Sequence, residues 1–165
     1  MLLIPKIRES ISKHMAKVKT ILFAEDDQLL LTLYRKHLQQ AGYHVIPAQD
    51  GLEAMRHLSM FVPDVVVLDL LMPRFNGEEV LQYVCGNARL ACMPLIILSS
   101  SSVVDTGNQH LLARADRRLL KHKCTPAILV ENIQELFASQ YEEMPAQPAN
   151  PYDTSPSSDA RTAAR

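Results

Sequence analysis

The sequence has no tryptophan, only five glycines and three cysteines, and no excess of charge of either sign. A net charge of −1 offers no basic surface for a polyanion, so we expect no nucleic-acid partner. Cys85, Cys92 and Cys124 are odd in number and scattered, which argues against a disulfide framework and is typical of free thiols in a reducing cytoplasm. The six histidines are spread singly, which disfavours a zinc site.

Long apolar runs are also missing. A membrane helix requires roughly 20 apolar residues, and the longest run, residues 65–72, is interrupted by Asp69. We therefore expect a cytoplasmic chain without stable membrane insertion. Residues 1–18 predict an N-terminal extension. A basic amphipathic helix at a membrane or partner surface is one interpretation, but we favour an extra docked or frayed helix and a translation start at Met15. Residues 140–165 are rich in Pro, Ala and Ser and predict a disordered tail.

The central region alternates short apolar runs with stretches of helical spacing. The runs are apolar at consecutive positions, which indicates strands buried on both faces of a parallel sheet. Five such βα repeats predict an α/β fold with a doubly wound, five-stranded parallel sheet. The predicted strands are TILFA (20–24), HVIPA (44–48), DVVVL (64–68), PLIIL (94–98) and RLL (118–120).

Each predicted strand is followed by apolar residues at the spacing of one helix face. These residues are Leu30, Leu33, Tyr34 and Leu38; Leu52, Met55 and Leu58; Val80, Leu81 and Val84; Val104, Leu111 and Leu112; and Leu129, Ile133, Leu136 and Phe137. Gly107 interrupts the fourth set, which is the weakest of the five. Gly42 is predicted to end the first helix, and Thr125-Pro126 to begin the last.

Reactive side chains collect where the predicted strands end. They are Glu25, Asp26 and Asp27 after the first strand, Asp69 after the third, Ser99 after the fourth and Lys121 after the fifth. The carboxyl ends of parallel strands meet at one edge, where ligands bind in open α/β sheets. Clustered carboxylates repel unless a cation such as Mg²⁺ joins them, and a lysine and a hydroxyl would complement a phosphoryl group. This pattern predicts that Asp69 is a nucleophile that accepts phosphate.

Four motifs together resemble a response-regulator receiver domain of two-component signalling, and in particular the chemotaxis response regulators. The motifs are ILFAEDD, VVVLDLLMPRFNG, PLIILSS and LLK, in the family's order within residues 19–138. The resemblance implies a receiver domain over residues 19–139 with the (βα)5 flavodoxin-like fold and strand order 2-1-3-4-5. It also implies a Mg²⁺ cofactor, a histidine kinase or histidine phosphotransfer protein as phosphoryl donor, and a further protein as target.

The resemblance assigns the acids to a metal site beside the phosphoacceptor Asp69. Asp26, Asp69 and the backbone carbonyl of Leu71 would contact Mg²⁺ directly, and Glu25 would act largely through water. The sequence distance to the predicted helix end fits Glu25 and Asp26 as the family's acid pair. Asp27 is instead predicted to cap the first helix, where a carboxylate faces the positive end of the helix dipole.

The same resemblance makes Ser99 the switch hydroxyl and Lys121 the partner of the phosphoryl oxygens. Three positions depart from the family pattern, all near the fifth strand. Arg114 replaces an expected glycine, which would cost of order 1 kcal/mol if the position needs a positive φ. Arg118 occupies the place of the aromatic switch residue, and His122 the place of a proline that is often cis. These departures leave the acids and the lysine intact but put the switch in doubt.

Arg118 is expected to stay at the surface. Together with Arg117, Lys121 and Lys123 it would form either a basic partner surface or a solvated charged edge strand that prevents edge pairing. We hold these two interpretations equal.

The leading functional hypothesis is a single-domain response regulator that is phosphorylated on Asp69 and signals through protein contacts. The alternative is a degenerate receiver that binds partners without phosphorylation. An aspartyl phosphohydrolase would need a second acid two residues on, where Leu71 stands, and a flavin site would need a loop that does not repel phosphate. We therefore expect no enzyme activity beyond self-phosphorylation and self-dephosphorylation.

Overall fold

The computed structural model describes residues 18–100 and 109–142. The predicted N-terminal extension up to residue 17, the predicted tail beyond Glu142, and the helical positions Val104 and Gly107 lie outside these residues. None of the helices in the described ranges is long and apolar enough to cross a lipid bilayer.

Strands and helices alternate along the described chain. The strands are β1 (Thr20–Ala24), β2 (His44–Ala48), β3 (Val65–Leu68), β4 (Leu95–Ser99) and β5 (Arg117–Leu120). The helices are α1 (Gln28–Gln40), α2 (Gly51–Met60), α3 (Gly77–Cys85), α4 (Gln109–Leu112) and α5 (Pro126–Glu142). Two 3₁₀ turns, Ala88–Leu90 and Lys121–Lys123, precede β4 and follow β5.

The five strands form one parallel sheet in the order β2-β1-β3-β4-β5, which confirms the predicted fold and strand order. In this register Ala24 lies opposite Leu68, and Ser99 lies opposite Leu120. The carboxyl ends of β1, β3, β4 and β5 therefore meet at a single edge of the sheet. Parallel strands need crossover helices, and these helices cover both faces.

Alternate side chains of each central strand enter two separate cores. Phe23 and Val67 pack with α1 and α5, whereas Leu22 and Leu68 point to the other face, towards α2, α3 and α4. All four residues of β3 are fully buried, which explains why its sequence shows no alternation. The chain thus builds three layers with the sheet in the middle.

The predicted helix ends are confirmed. The Asp27 carboxylate caps α1 by accepting hydrogen bonds from the backbone N–H groups of Leu29 and Leu30. Gly42, with φ of +93°, follows the last turn of α1, and its N–H donates to the carbonyl of Gln39. At the start of α5 the Thr125 hydroxyl accepts a hydrogen bond from Ile128 N–H.

Two of the predicted helix-face positions are wrong. Leu33 and Leu52 are each 44% exposed, and Leu31, which the pattern left out, is 4% exposed. Leucines at 29, 30, 31 and 33 point in several directions around the axis of α1, so more than one apolar face fitted the spacing. The buried stripe is Leu31, Tyr34 and Leu38.

Candidate functional site

The site lies at the carboxyl edge of the sheet, where three strands deliver its polar side chains. Glu25 follows β1, and its backbone N–H donates to the carbonyl of Ala48 at 3.0 Å. Asp69 follows β3, and its N–H donates to the carbonyl of Ala24 at 3.0 Å. Sheet-like hydrogen bonds therefore continue one residue past each strand and hold both acids in place. Lys121 follows β5 and begins the second 3₁₀ turn.

Lys121 bridges the two buried acids. Its Nζ donates to Asp69 Oδ2 at 2.8 Å and to Glu25 Oε1 at 2.8 Å. Burial alone would lower the pKa of Lys121, but the hydrogen bonds and charges of Asp69 and Glu25 outweigh it and raise that pKa. The ammonium therefore stays charged and is the one cation that the described residues place between these acids.

Glu25 has no exposed surface, although it is an acid. Burial raises the pKa of Glu25, and the hydrogen bond and charge of Lys121 oppose that rise. Its Oε1 also accepts the backbone N–H of Asp27 at 3.2 Å. Its Oε2 lies 2.7 Å from Lys121 Nζ but has no well-oriented hydrogen-bond partner in the described part of the chain.

A metal ion fits this geometry. Glu25, Asp26 and Asp69 each offer one carboxylate oxygen, and these oxygens lie within 4.8 Å of one another. Three carboxylates face a single lysine, and the surplus of negative charge favours a further cation beside them. Oxygen donors without thiol or imidazole suit a hard divalent ion such as Mg²⁺. Asp26 is exposed and lies on the solvent side of the cluster.

The loop after Asp69 is held by its backbone. Leu71 N–H donates to Asp69 Oδ1 at 3.1 Å, so both oxygens of this carboxylate have a donor. Gly77 leaves no room for a side chain, because a Cβ there would lie 2.3 Å from the Asp69 carbonyl oxygen. Arg74 adopts a φ of 67° and forms an ion pair with the buried Asp50 at the start of α2.

Ser99 ends β4 and is buried at the same edge of the sheet. It lies opposite Leu120, the residue before Lys121, in the β4–β5 register. The described structure thus gathers Glu25, Asp26, Asp69 and Lys121 into one cluster and sets Ser99 at its border.

The three departures from the family pattern have distinct structural outcomes. Arg118 is exposed on β5, as expected. Arg114 needs no positive φ, since Arg74 is the only described non-glycine residue with one. Instead its guanidinium donates to the carbonyls of Leu90 and Met93. His122 is exposed, and no described peptide bond is cis.

Lys121 does not belong to a basic surface with Arg117, Arg118 and Lys123, and this part of the prediction is wrong. Its ammonium points to Glu25 and Asp69, because two buried carboxylates attract it more strongly than solvent does. Sequence reasoning placed Tyr34 on a helix face but missed its hydroxyl, which donates to the Cys124 carbonyl at the end of the turn that carries Lys121. A tyrosine on the buried face of a helix is a signal for such a contact, since a buried hydroxyl needs a partner.

Comparison with known proteins identifies the family. Residues 21–134 match the family model described as "Response regulator receiver domain". Response regulator MprA from Mycobacterium sp. (strain KMS) is 34% identical over 78% of this chain and 55% of its own length. The alkaline phosphatase synthesis transcriptional regulatory protein PhoP from Bacillus subtilis is 40% identical over 38% of this chain and 26% of its own length. The chain therefore spans only about half, or less, of these relatives.

Solved structures share the fold of this chain. A CheY-like response regulator receiver domain protein from Methanospirillum hungatei superposes with a TM-score of 0.69 at 24% identity, covering 78% of this chain and 100% of its own. Response regulator protein TrrA from Thermotoga maritima, solved in complex with Mg²⁺-BeF, gives a TM-score of 0.63 at 26% identity, covering 72% and 99%. The chain belongs to the response regulator receiver domain family of two-component systems.

Proposed function

We propose that this receiver domain accepts a phosphoryl group on Asp69. The observation that carries the proposal is the Lys121 ammonium, held 2.8 Å from Asp69 Oδ2 beside the acids Glu25 and Asp26. In the proposed step a carboxylate oxygen of Asp69 attacks phosphorus, and an O–P bond forms as the bond to the donor breaks. The donor atom leaves with the bonding electron pair.

The residues around Asp69 have complementary roles in this proposal. Lys121 neutralises the oxygens of the incoming group without moving, because it already sits against the acceptor carboxylate. Ser99, at the end of β4, would donate its hydroxyl to the phosphoryl group. Hydrogen bonds from Lys121 and from Leu71 N–H orient the Asp69 carboxylate before the donor arrives.

Mg²⁺ would be held by Asp26, Asp69 and the Leu71 carbonyl, with Glu25 acting largely through water. It would supply the positive charge that offsets the acid cluster and the added phosphoryl oxygens. Glu25 is already paired with Lys121, which supports its more distant role.

We propose a histidine kinase or a histidine phosphotransfer protein as the donor, and output through contact with another protein. The exposed Arg118 on β5 would lie on the output face in place of an aromatic switch residue. A large, charged side chain already at the surface has little to gain from moving inward. The output face would therefore differ less between the two states than the family pattern implies.

Ligand-induced stabilisation tests the proposal. With Mg²⁺ and beryllofluoride, a phosphoryl analogue, the parent protein should unfold at a higher temperature. At a ligand concentration of 100 times the Kd, its free energy of unfolding should rise by about 2.7 kcal/mol. Asp69→Asn should abolish this gain. Glu131→Gln, which removes one exposed charge on α5, should retain it. Intact-mass measurement after incubation with acetyl phosphate should show one added phosphoryl group in the parent and in Glu131→Gln only.

The same experiment separates the alternatives. A parent protein without any gain would favour a receiver that binds partners independently of phosphorylation, the outcome that the departures at Arg114, Arg118 and His122 motivate. Sustained turnover of a small phosphate ester would instead favour a phosphohydrolase.

A further inference from the structure

The turn that carries Lys121 has little support of its own. It is a single 3₁₀ turn, Lys121–Lys123, closed by a hydrogen bond from Cys124 N–H to the Lys121 carbonyl at 3.2 Å. His122 and Lys123 are exposed, and no side chain caps the start of the turn. His122 stands where the family pattern has proline, and it lacks the pyrrolidine ring that would fix the backbone φ there. The turn therefore depends on a contact from outside.

Tyr34 supplies such a contact from α1. It is 3% exposed, and its hydroxyl donates to the carbonyl of Cys124, the residue that closes the turn. Its ring stacks on Phe23 of β1, with 5.5 Å between ring centroids. Burial, together with interactions with Cys124, raises the pKa of Tyr34 to about 12, so the hydroxyl keeps its proton at neutral pH.

Cys124 thus joins two hydrogen bonds at one residue. Its N–H fixes the turn to the Lys121 carbonyl, and its carbonyl fixes the turn to Tyr34. Because Phe23 lies two residues before Glu25 on β1, the stacked ring ties the turn to the strand that delivers this acid. Tyr34 therefore lies between β1, which leads into Glu25, and the turn that carries Lys121.

We propose that Tyr34 is a positioning residue for phosphoryl binding, because its hydroxyl clamps the 121–124 turn and so holds the Lys121 ammonium against Asp69. This inference rests on the proposed phosphoacceptor function and deepens it. Tyr34 touches neither Asp69 nor a phosphoryl group, and it acts only through the backbone of the turn. A free lysine side chain has many rotamers, so a loosened turn would bring Nζ to Asp69 for a smaller fraction of the time.

Tyr34→Phe tests the clamp because it keeps the ring and removes only the hydroxyl. We expect about tenfold weaker affinity for beryllofluoride at saturating Mg²⁺, since a buried carbonyl loses its donor and the turn loosens. Affinity for Mg²⁺ alone should change less than about twofold, because Lys121 is not among the proposed metal ligands. A residue with a general structural role would not separate these two affinities.

Tyr43→Phe is the matched control. Tyr43 is half-buried after α1, its ring lies 6.1 Å from Phe137 of α5, and its hydroxyl interacts with Gln134 and not with the turn. This variant should match the parent in both affinities. Amide hydrogen exchange adds a measurement that needs no phosphoryl group. The Cys124 amide should exchange about tenfold faster in Tyr34→Phe than in the parent or in Tyr43→Phe.

The outcomes distinguish the clamp from the proposed function. If the parent binds beryllofluoride and Tyr34→Phe binds it equally well, the clamp is overturned and the phosphoacceptor function stands. If the parent does not respond to beryllofluoride, the phosphoacceptor function fails, and Cys124 exchange alone then decides whether Tyr34 restrains the turn. Unchanged Cys124 exchange in Tyr34→Phe would also overturn the clamp.

Discussion

Lys121 lies among more negative charge than it can neutralise. Its ammonium pairs with Glu25 and Asp69, and Asp26 adds a third carboxylate within 4.8 Å. A buried ion pair is expensive to form, but removing one partner is more expensive still, because it leaves an uncompensated charge. The lysine therefore supports the fold when no metal is bound and remains beside the acceptor when a cation arrives.

Lys121→Met should lower the free energy of unfolding by about 3 kcal/mol without metal, because Glu25 becomes a buried, unpaired acid. Without Lys121 the pKa of Glu25 rises further above 4.5, so the folded state holds its proton more tightly than the unfolded state. The variant should be closest to the parent below pH 4.5 and lose stability as the pH rises. Urea denaturation at several pH values measures this trend.

Lys123→Met is the control, since Lys123 is exposed in the same turn. It should change stability by less than about 0.5 kcal/mol at every pH. Saturating Mg²⁺ should recover part of the stability that Lys121→Met loses, because the ion replaces the missing positive charge. Equal losses from both lysines would contradict a structural role for the Lys121 ion pairs.

In the loop between β3 and α3, the backbone of Gly77 packs directly against the backbone of Asp69 and Leu70. Gly77 N–H donates to the Leu70 carbonyl at 3.1 Å, and a Cβ on Gly77 would lie 2.6 Å from Leu70 Cα. The loop can therefore fold back over Asp69 only if position 77 has no side chain. Gly42 has a different reason to be glycine, since its φ is +93° and a Cβ there would meet no residue other than its chain neighbours within 4 Å.

Gly77→Ala should destabilise the protein by about 3 kcal/mol and weaken Mg²⁺ binding, because the added methyl group displaces the backbone of Asp69. Gly42→Ala should cost about 1 kcal/mol through its positive φ and leave Mg²⁺ affinity unchanged. Denaturation and metal titration of both variants compare steric displacement with conformational strain. Normal Mg²⁺ affinity in Gly77→Ala would show that the loop tolerates the methyl group.

Arg114 ties together two elements at the opposite edge of the sheet. Its guanidinium donates to Leu90 O at 3.1 Å and to Met93 O at 2.5 Å, which satisfies carbonyls of the segment that leads into β4. Asp116, 3.5 Å from the guanidinium, accepts the N–H of Leu95. The arginine thus joins the starts of β4 and β5 where the family pattern has a glycine.

Arg114→Ala should lower the free energy of unfolding by about 1–2 kcal/mol, because the Met93 carbonyl loses its donor and the Leu90 carbonyl keeps only the N–H of Met93. Arg114→Lys should recover only part of this, since an ammonium lacks the planar fork. Arg117→Ala, which removes a neighbouring side chain bonded only to the Asp116 carbonyl among the described contacts, should cost less than about 0.5 kcal/mol. A negligible loss in Arg114→Ala would show that water satisfies those carbonyls.

At the scale of the molecule, the described residues form a five-stranded sheet with one apolar core on each face. The two cores draw on all five strands and on α1 to α5, from Ile21 to Phe137. At the amino-terminal edge of the sheet, Lys19 forms an ion pair with Asp64, with 2.9 Å between Nζ and Oδ1. Every strand thus has its neighbours and its covering helices within residues 18–142.

A chain trimmed to residues 18–142 should therefore unfold cooperatively, with a free energy within about 1 kcal/mol of the full chain. It should keep the same response to Mg²⁺ and beryllofluoride. Urea denaturation of both chains gives the comparison of their midpoints and slopes. A loss of cooperativity would mean that residues outside this range contribute to the core.

Local patterns were enough to predict the layers and the edge of the sheet at which the polar side chains gather. Apolar runs such as Val65–Leu68 indicate buried parallel strands, and the residue after each run must lie at the carboxyl edge. The positions of Glu25, Asp69 and Lys121 followed from that rule. Helix ends at Asp27, Gly42 and Thr125 were also readable, because capping depends on neighbouring residues only.

Contacts between distant residues could not be read in this way. Lys121 and Glu25 are 96 positions apart, and Tyr34 and Cys124 are 90 apart. Their pairing depends on how far each helix and turn projects once the layers pack, which spacing along the chain does not encode. The exposure of Leu33 and the hydrogen bonds of Arg114 also depend on packing between distant parts of the chain. Short-range chemistry thus places reactive groups at the edge, and long-range packing chooses their partners.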